Sequence, residues 1–598
     1  MMSASAPVLD AATAGGFLLV LAIVVPVAGV LLAFTAGGRH VERIVLATMP
    51  LGLAIAVAIC VAMRHAGAPL IYLLGAWAPP LGVALRADGL ATIMIVIAAV
   101  VICAIGIFAR TDFRTPAGAA EARAPFAFWI LLLAVWGALN TVFLAGDLFT
   151  LYVALELLTF AAVPLVCLDG RPETLQAALR YLLFALLGSV LYLVGTVLLY
   201  GAYGTLDIVL LSRQIHAQPA TLVAAALMTV GLLAKTALVP LHLWLPPAHA
   251  GAPAAASAVL SALVVKGSFF IVVRLWFDVM PALPGFAAVQ LIAALGAAAI
   301  VLGSVVALRQ ERLKLLIAYS TLAQIGLLFL MFPLAFDSGS GALESGGALA
   351  GGMLQAASHA TAKAAMFMAA GLVYATLGHD RIAGLAGVAR ALPLGTLAFA
   401  LAGVALIGVP SSGAYLAKGL LLHAADATGQ WWWTLVVQAG GVFTSSYVVL
   451  VLAHALVPAD EAAPLRASVP RIAEAAALVL ALCSLLLGLI PWEGYLPLPD
   501  GVASKSLTLE AFFATLWPIL GGGVLAILFG RWGRRLAGMA WLPKSDVVVA
   551  MVAPARRAGL AFGVTLERVD GTLRQWPAAS LSLLIVAILF GAAMLTMH

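Results

Sequence analysis

Sixteen apolar stretches, each long enough to form a helix across a lipid bilayer, constrain this chain more than any other feature. A helix needs about 20 apolar residues to cross the hydrocarbon core. Apolar residues make up 64% of the 598 positions and charged residues 9%, against roughly 25% charged residues in soluble domains. The sequence therefore predicts an all-α polytopic membrane protein. The stretches lie near 16–36, 44–63, 90–109, 125–145, 148–168, 179–201, 220–248, 254–277, 286–308, 315–335, 350–377, 392–424, 431–457, 472–490, 510–530 and 578–597.

The seventh and twelfth stretches are too long for one straight helix, and both contain prolines. Pro240 and Pro246 interrupt the seventh, in LLAKTALVPLHLWLPPAHAGAP, and Pro410 interrupts the twelfth, in LIGVPSSGAYLAKGLLLH. Each break lies within a few turns of a lysine. Matching discontinuous helices in two halves of a chain are typical of transporters built from inverted repeats. We therefore expect two inverted five-helix repeats with helices seven and twelve broken.

Loop charges give an orientation. Loops numbered from the N-terminus alternate sides, and the odd loops contain 22 of the 31 Lys and Arg residues, whereas the even loops contain 4. Basic residues collect in cytoplasmic loops. The count predicts that the odd loops are cytoplasmic and that both termini lie outside the cell, in a multi-pass protein of the inner (plasma) membrane.

Six regions follow from this division. We expect N-terminal membrane helices (1–124), a first repeat (125–280), a second repeat (286–457), C-terminal membrane helices (470–530), an amphipathic segment (545–576) and a final membrane helix (578–598). In the amphipathic segment arginines alternate with apolar residues, as in a helix lying along a membrane surface. It is either a lateral connection to a neighbouring subunit or a simple linker to the last helix.

Four of the seven lysines lie inside membrane helices, and among the acids Glu156 lies near a helix centre. Each such charge costs about 2.5–3.5 kcal/mol. Arginine remains protonated under almost all conditions, whereas a buried lysine can release its proton. The preference for lysine therefore favours proton transfer over structural ion pairs, which are the alternative for any one of them. Arg274, near its helix end, is expected to extend toward the outer surface. The lysines are Lys235, Lys266, Lys363 and Lys418.

Two histidines extend this set. His359 and Lys363 are four residues apart in SHATAKAAMFMAAG and so share a helix face. His242 follows Lys235 by seven residues, beyond a proline break whose freed carbonyls can bind water. A core histidine without a role in transport is the alternative, so His242 is a possible proton carrier only.

At these residues the sequence resembles the antiporter-like subunits of respiratory complex I, the Mrp cation/proton antiporters and the membrane-bound hydrogenases. The resemblance covers roughly 85–455 and rests on five motifs. It implies a Glu156–Lys235 pair, a relay lysine at 266, a central His359–Lys363 pair and a terminal Lys418. The motifs are DLFTLYVALELLTFAAVPLV, AKTALVPLHLWLPPAHAGAPAAASAVLSALVVKG, LKLLIAYSTLAQIGLL, SHATAKAAMFMAAG and GVPSSGAYLAKGLLL.

The subfamily remains open. Lysine at 266 is similar to the Mrp D-type and complex I M-type subunits, while the chain length and the C-terminal segment are more similar to the L-type. Pro247 stands where the family usually has Asp, and Pro410-Ser411-Ser412-Gly413 departs from its usual Pro-Pro-x-Ser-Gly.

Three functions are considered. The first is a proton-translocating subunit of a multisubunit complex, with Na⁺ or K⁺ as a possible counter-ion and other membrane subunits as partners. The second is the membrane partner in an inorganic-carbon uptake complex, and the third, remote, is a lipid-linked glycosyltransferase. The sequence has no Cys-x-x-Cys, haem-attachment or phosphate-binding motif, so we expect no cofactor, metal or catalytic residue. Any enzyme activity, such as NADH:quinone oxidoreductase or hydrogenase, would belong to partner subunits.

Overall fold

The computed structural model describes residues 12–116, 121–281, 283, 285–336, 347–458, 466, 469–499, 508–530 and 546–595. Within these residues, fifteen helices are long and apolar enough to cross a membrane. The remaining predicted span, the twelfth, is present as two shorter helices, Pro393–Ile407 and Gly413–Ala427. The prediction of an all-α polytopic membrane protein is confirmed. Lys505 and residues 531–545, which enter the loop-charge count, lie outside the described part.

We number the sixteen spans α1 to α16 in chain order. A separate amphipathic helix, Asp546–Leu573, precedes α16 and is here named the lateral helix. The spans are α1 Phe17–Ala36, α2 His40–Ala66, α3 Gly89–Ala109, α4 Arg123–Leu144, α5 Leu148–Cys167, α6 Pro172–Tyr203, α7 Pro219–Thr236, α8 Ala254–Val279, α9 Phe286–Ala307, α10 Leu313–Leu334, α11 Gly347–Leu377, α12 Pro393–Ile407 with Gly413–Ala427, α13 Trp431–Ala455, α14 Arg471–Leu489, α15 Ala511–Phe529 and α16 Trp576–Leu595.

Both predicted breaks are present. α7 ends at Thr236, where Ala237 adopts a positive φ of 62°, and helical structure resumes only at Leu245–Gly251. In α12 the break contains Gly408, with a φ of 93°, and the Ser412 side chain then caps the second piece by accepting from the Tyr415 amide. Prolines cannot donate the helical hydrogen bond, which explains why both helices stop here and leave backbone carbonyls available to side chains.

The centre of the molecule is formed by α8 and α10. In the most apolar 18-residue stretch of α8, every residue is buried. In the corresponding stretch of α15, only 17% of the residues are buried. α8 is also irregular, with π-helical turns at Leu260–Val264 and Arg274–Val279. Such turns release carbonyls from the α-helical pattern and are frequent at functional sites.

The C-terminal part of the chain contacts helices of both predicted repeats. The lateral helix packs against α15, α9 and α16, and α16 packs against α7. A two-stranded antiparallel hairpin, β1 (Leu70–Leu73) and β2 (Ala84–Ala87), connects α2 and α3. The predicted helix within 545–576 is present as Asp546–Leu573. The six region boundaries and the connection to a neighbouring subunit stay predictions.

Candidate functional site

Glu156 on α5 and Lys235 on α7 form an ion pair. Lys235 Nζ lies 2.9 Å from Glu156 Oε1 and 2.9 Å from the Thr159 hydroxyl oxygen, which is one turn further along α5. The Ser189 hydroxyl donates a second hydrogen bond to the same Glu156 oxygen. The structure therefore brings together the two residues that the resemblance pairs, with two hydroxyl groups beside them.

Two glycines bring α6 close enough to α7 to complete this pair. A Cβ atom at Gly188 would lie 2.6 Å from the Gly231 carbonyl oxygen and 3.2 Å from Lys235 Cγ. A Cβ at Gly231 would lie 2.2 Å from the Gly188 carbonyl oxygen. Because such distances are too short for any side chain, small residues on both helices are what allows this packing.

Lys266 lies fully buried on α8, at the end of its first π-helical turn. Its ammonium donates to the Ser261 carbonyl oxygen at 2.6 Å. The Ser261 hydroxyl in turn lies 2.8 Å from the Thr321 hydroxyl on α10. The acceptor of Lys266 is therefore a neutral backbone group that the irregular helix exposes.

Lys363 and His359 on α11 are also fully buried. Lys363 Nζ donates to the Ser320 hydroxyl at 2.5 Å and lies 5.5 Å above the centre of the Tyr447 ring. Neither ring nitrogen of His359 has a hydrogen-bond partner among the described residues. Ser320 is next to Thr321 on α10, and the Thr321 hydroxyl contacts Ser261, whose carbonyl accepts from Lys266. The central pair and the α8 lysine therefore form one neighbourhood.

Lys418 lies just beyond the break of α12. Its ammonium donates to the Ile407 carbonyl oxygen at 2.5 Å, which is a carbonyl that the break releases. The side chain lines a cavity of about 500 Å³ together with Tyr415, His423 and Trp517. The predicted terminal lysine thus lines a cavity. Lys266 and Lys363 are not part of the wall of this cavity.

A polar connection between the last two lysines was missed by the sequence analysis. The Gln324 amide on α10 donates to the Thr444 hydroxyl at 2.8 Å and to the Tyr447 hydroxyl at 3.1 Å, both on α13. One turn before Thr444, a Cβ at Gly441 would lie 3.1 Å from Lys418 Nζ. Neutral polar residues cost little in a helix, and these three lie on two different helices, so no pattern within one helix indicated them.

The possible carrier His242 is bonded elsewhere than expected. Its Nε2 lies 2.9 Å from Asp570 Oδ1 on the lateral helix, and not beside Lys235. Asp570 also accepts from the Tyr319 hydroxyl at 2.7 Å and from Arg574 at 2.9 Å. Burial by itself would raise the pKa of Asp570, but the His242 hydrogen bond and the Arg574 charge hold that pKa below its ordinary value. Nothing in the sequence indicated this buried carboxylate.

Arg274, which was expected to extend toward the outer surface, is largely buried and paired with two carboxylates that are themselves about one-third exposed. The residue is 8% exposed, and its guanidinium contacts both oxygens of Asp88 at 2.5 and 2.7 Å, and Asp278 at 2.7 Å. Two carboxylates hold this arginine in place, because a bidentate guanidinium pair has a fixed geometry. Arg274 is therefore a structural cation, in clear contrast to the lysines.

In the part of the chain that the structure describes, no group of three His, Cys, Asp or Glu side chains is placed to hold a metal ion. The four cysteines are free and half-buried, in separate helices. The candidate site therefore consists of titratable and neutral polar side chains arranged across the centre of the molecule.

Comparisons with known proteins show which family the sequence and the fold are similar to. Residues 145–444 match the family model described as "NADH:quinone oxidoreductase/Mrp antiporter, TM". NADH-quinone oxidoreductase subunit N of Desulforudis audaxviator is 32% identical over 397 residues, which are 65% of this chain and 76% of the relative. The D-type Na⁺/H⁺ antiporter subunit of Alkalihalophilus pseudofirmus is 27% identical over 443 residues, 73% and 86% respectively. A chain of the membrane-bound sulfane sulfur reductase, an archaeal respiratory membrane complex, superposes with a TM-score of 0.70 and 26% identity, covering 83% of this chain and 99% of that one.

Proposed function

Because this chain belongs to the NADH:quinone oxidoreductase/Mrp antiporter family, we propose that it moves protons across the membrane as one subunit of a multisubunit complex. The proposed carriers are Glu156, Lys235, Lys266, the His359–Lys363 pair and Lys418, in that order. All of them lie inside the matched residues 145–444. His242 is a possible additional carrier at the break of α7.

This proposal rests on the kind of hydrogen-bond acceptor that the buried lysines contact. Lys266 and Lys418 donate to backbone carbonyls and Lys363 donates to a hydroxyl. Among the described residues, none of these three forms a salt bridge with a carboxylate. A lysine that only stabilised the fold would be expected to have an acidic partner, as Arg274 has. A neutral acceptor can accept a hydrogen bond from both the charged and the uncharged amine. The proton can therefore leave the lysine without leaving an unpaired carboxylate in the interior.

The pair of Glu156 and Lys235 gives the relay a switch. With the two side chains 2.9 Å apart, the adjacent carboxylate favours the protonated form of the lysine. Separation of the pair would remove that attraction and favour transfer of the lysine proton toward Lys266. Moving one charge across a potential of about 100 mV requires about 2.3 kcal/mol, and a change in one buried ion pair is of that order.

Partners, ions and location are further parts of the proposal. The relatives are named as subunits, and one superposed chain comes from a respiratory membrane complex. We therefore propose that other membrane subunits surround this chain and that Na⁺ or K⁺ is a possible counter-ion. The proposed location is the inner (plasma) membrane, with both termini outside.

Replacement of Lys363 by Met tests the proposed function, because Met keeps the length of the side chain and removes the titratable amine. The assembled complex is purified and placed in vesicles that contain a pH-sensitive dye, and a potassium-diffusion potential drives proton flux. We expect the flux of Lys363→Met to fall to the level of protein-free vesicles.

Arg110→Met is the matched control, since it removes an exposed cation whose partner is Glu42 on the surface. Its flux should equal that of the parent. Parental flux in Lys363→Met, or no flux in the parent complex, would overturn the proposed function.

A further inference from the structure

His249 is a fully buried histidine that is not among the proton carriers proposed above. It lies on the short helix Leu245–Gly251 that follows the break of α7. Its ring stacks on Phe367 of α11, with the ring centres 4.8 Å apart and the planes at 18°. Neither of its ring nitrogens has a hydrogen-bond partner among the described residues. Buried polar atoms in proteins are nearly always bonded, so an exception needs an explanation.

A large cavity lies beside this short helix. It has a volume of about 960 Å³, and Ala250, Gly251 and Ala252, the three residues after His249, form part of its wall. Arg171 at its rim has a side chain that is 60% exposed, which shows that the cavity reaches the surface. Its charged lining comes from the odd-numbered loops and the starts of α6 and α10, and includes Asp112, Asp169, Arg171, Glu173, Arg312 and Lys314.

Lys314 connects the cavity to His249. It lines the cavity at the start of α10, and its ammonium donates to the carbonyl of Ala252, three residues after His249. The charges of Lys314, Lys363 and Lys266 all act on the His249 ring, and Phe367, on which the ring stacks, lies one turn after Lys363 on α11. These three lysines come from α10, α11 and α8, and the short helix itself packs mainly against α10 and α6. A titratable ring therefore lies next to residues that line a cavity reaching the surface, and it stacks one turn from Lys363.

We propose that His249 is the residue through which protons pass from this cavity to Lys266 and Lys363. This inference rests on the proposed function and adds an entrance to it from the side of the odd-numbered loops. The neutral ring accepts a proton at one nitrogen and releases a proton from the other, which leaves the opposite tautomer, and a 180° turn of the ring restores the first tautomer before the next transfer. Phe367 stacks on one face of the ring, and both nitrogens are free of bonds to the described residues.

Chemical rescue of His249→Ala tests the entrance. The substitution removes the ring next to a cavity that is large enough to admit a free imidazole molecule. We expect proton flux in the vesicle assay to fall on the order of 100-fold, the usual contribution of a positioned proton carrier. Added imidazole should restore a large part of the flux. Thiazole, which has a similar shape but is a much weaker base, should restore none.

His454→Ala is the matched control. His454 is also buried, on α13, and its Nδ1 is bonded to the Leu450 carbonyl oxygen within its own helix. Its flux should equal that of the parent, with or without imidazole, which excludes imidazole itself as the carrier across the lipid. His249→Gln, which keeps a polar side chain, should assemble normally and lose flux as His249→Ala does.

The outcomes separate the two proposals. Loss of flux in Lys363→Met together with parental flux in His249→Gln would overturn the entrance and leave the proposed function in place. Equal rescue by imidazole and thiazole would also overturn it, because His249 would then only fill space. Parental flux in Lys363→Met would instead overturn the proposed function itself.

Discussion

Asp570 on the lateral helix and His242 at the break of α7 are 328 residues apart in the chain, yet their side-chain atoms lie 2.9 Å from each other. Tyr319 of α10 contacts the same carboxylate. The lateral helix is thus attached at one buried point to the break of α7 and to α10. Arg309, which follows α9, pairs with Glu567 one turn away on the lateral helix and supports the attachment.

Replacement of Asp570 by Asn should loosen the lateral helix. Asn has nearly the same size, but it removes the charge that Arg574 and the His242 ring contact. Hydrogen bonds to a charged group contribute about 1.5–3 kcal/mol, so we expect the purified complex to unfold a few degrees lower and amide exchange of residues 553–573 to increase. Glu493→Gln, at an exposed position, is the control and should match the parent. Unchanged exchange in Asp570→Asn would show that apolar packing holds the helix instead.

Replacement of Glu156 by Gln should separate assembly from transport. The residue is about 13.5 Å along the helix axis from Asp147, at 1.5 Å per residue, so it lies far from either end of α5. Gln keeps the shape and can still accept from Ser189, but it no longer holds Lys235 charged. We expect normal complex assembly by size-exclusion chromatography and a loss of most proton flux in vesicles.

Glu156→Asp is the informative companion, since it keeps the charge on a side chain one methylene shorter. It should retain part of the flux. If Glu156→Gln transports as the parent does, the carboxylate is a packing residue and the relay does not begin there.

Substitutions of Lys418 should distinguish a proton carrier from a fixed positive charge. Arg keeps the charge but does not release its proton, whereas Glu titrates. A carrier predicts that Lys418→Glu retains more proton flux than Lys418→Arg, and a structural cation bonded to the Ile407 carbonyl predicts the reverse order. The vesicle assay with both variants measures this ranking directly, and a higher flux in Lys418→Arg would exclude Lys418 as a carrier.

Single cysteines in two loops test the orientation. Ala217 lies in the even loop between α6 and α7, and Arg390 lies in the odd loop before α12, and both are exposed. In a background without the four native cysteines, a membrane-impermeant thiol reagent added to intact cells should modify Ala217→Cys and leave Arg390→Cys unmodified. The opposite labelling pattern would reverse the predicted topology. The loop 336–345 offers a further even-loop position, although most of it lies outside the described residues.

The sequence was sufficient for the membrane class and for both broken helices, and fifteen of the sixteen predicted spans are membrane-length helices among the described residues. Burial of backbone groups in lipid allows very few structures, so about 20 apolar residues specify a helix wherever they occur. Proline removes a helical hydrogen bond by its covalent structure, so the breaks near Pro240 and Pro410 are local properties too. The cost of a charge in lipid likewise singled out Glu156 and the four lysines, each of which the structure places in the interior or at a cavity.

Only the tertiary structure decided which partners these charges have. The pairing of Glu156 with Lys235 agrees with the resemblance, but Arg274 is held by Asp88, from a loop 186 residues earlier. His242 is bonded to the lateral helix rather than to a lysine, and Gln324 and His249 join the candidate site although neither residue is unusual in its local sequence. An apolar run fixes where a helix forms through its own backbone, whereas the partner of a buried side chain depends on which helices pack together. That choice is made by contacts such as Gly188 against Gly231, which no single helix contains.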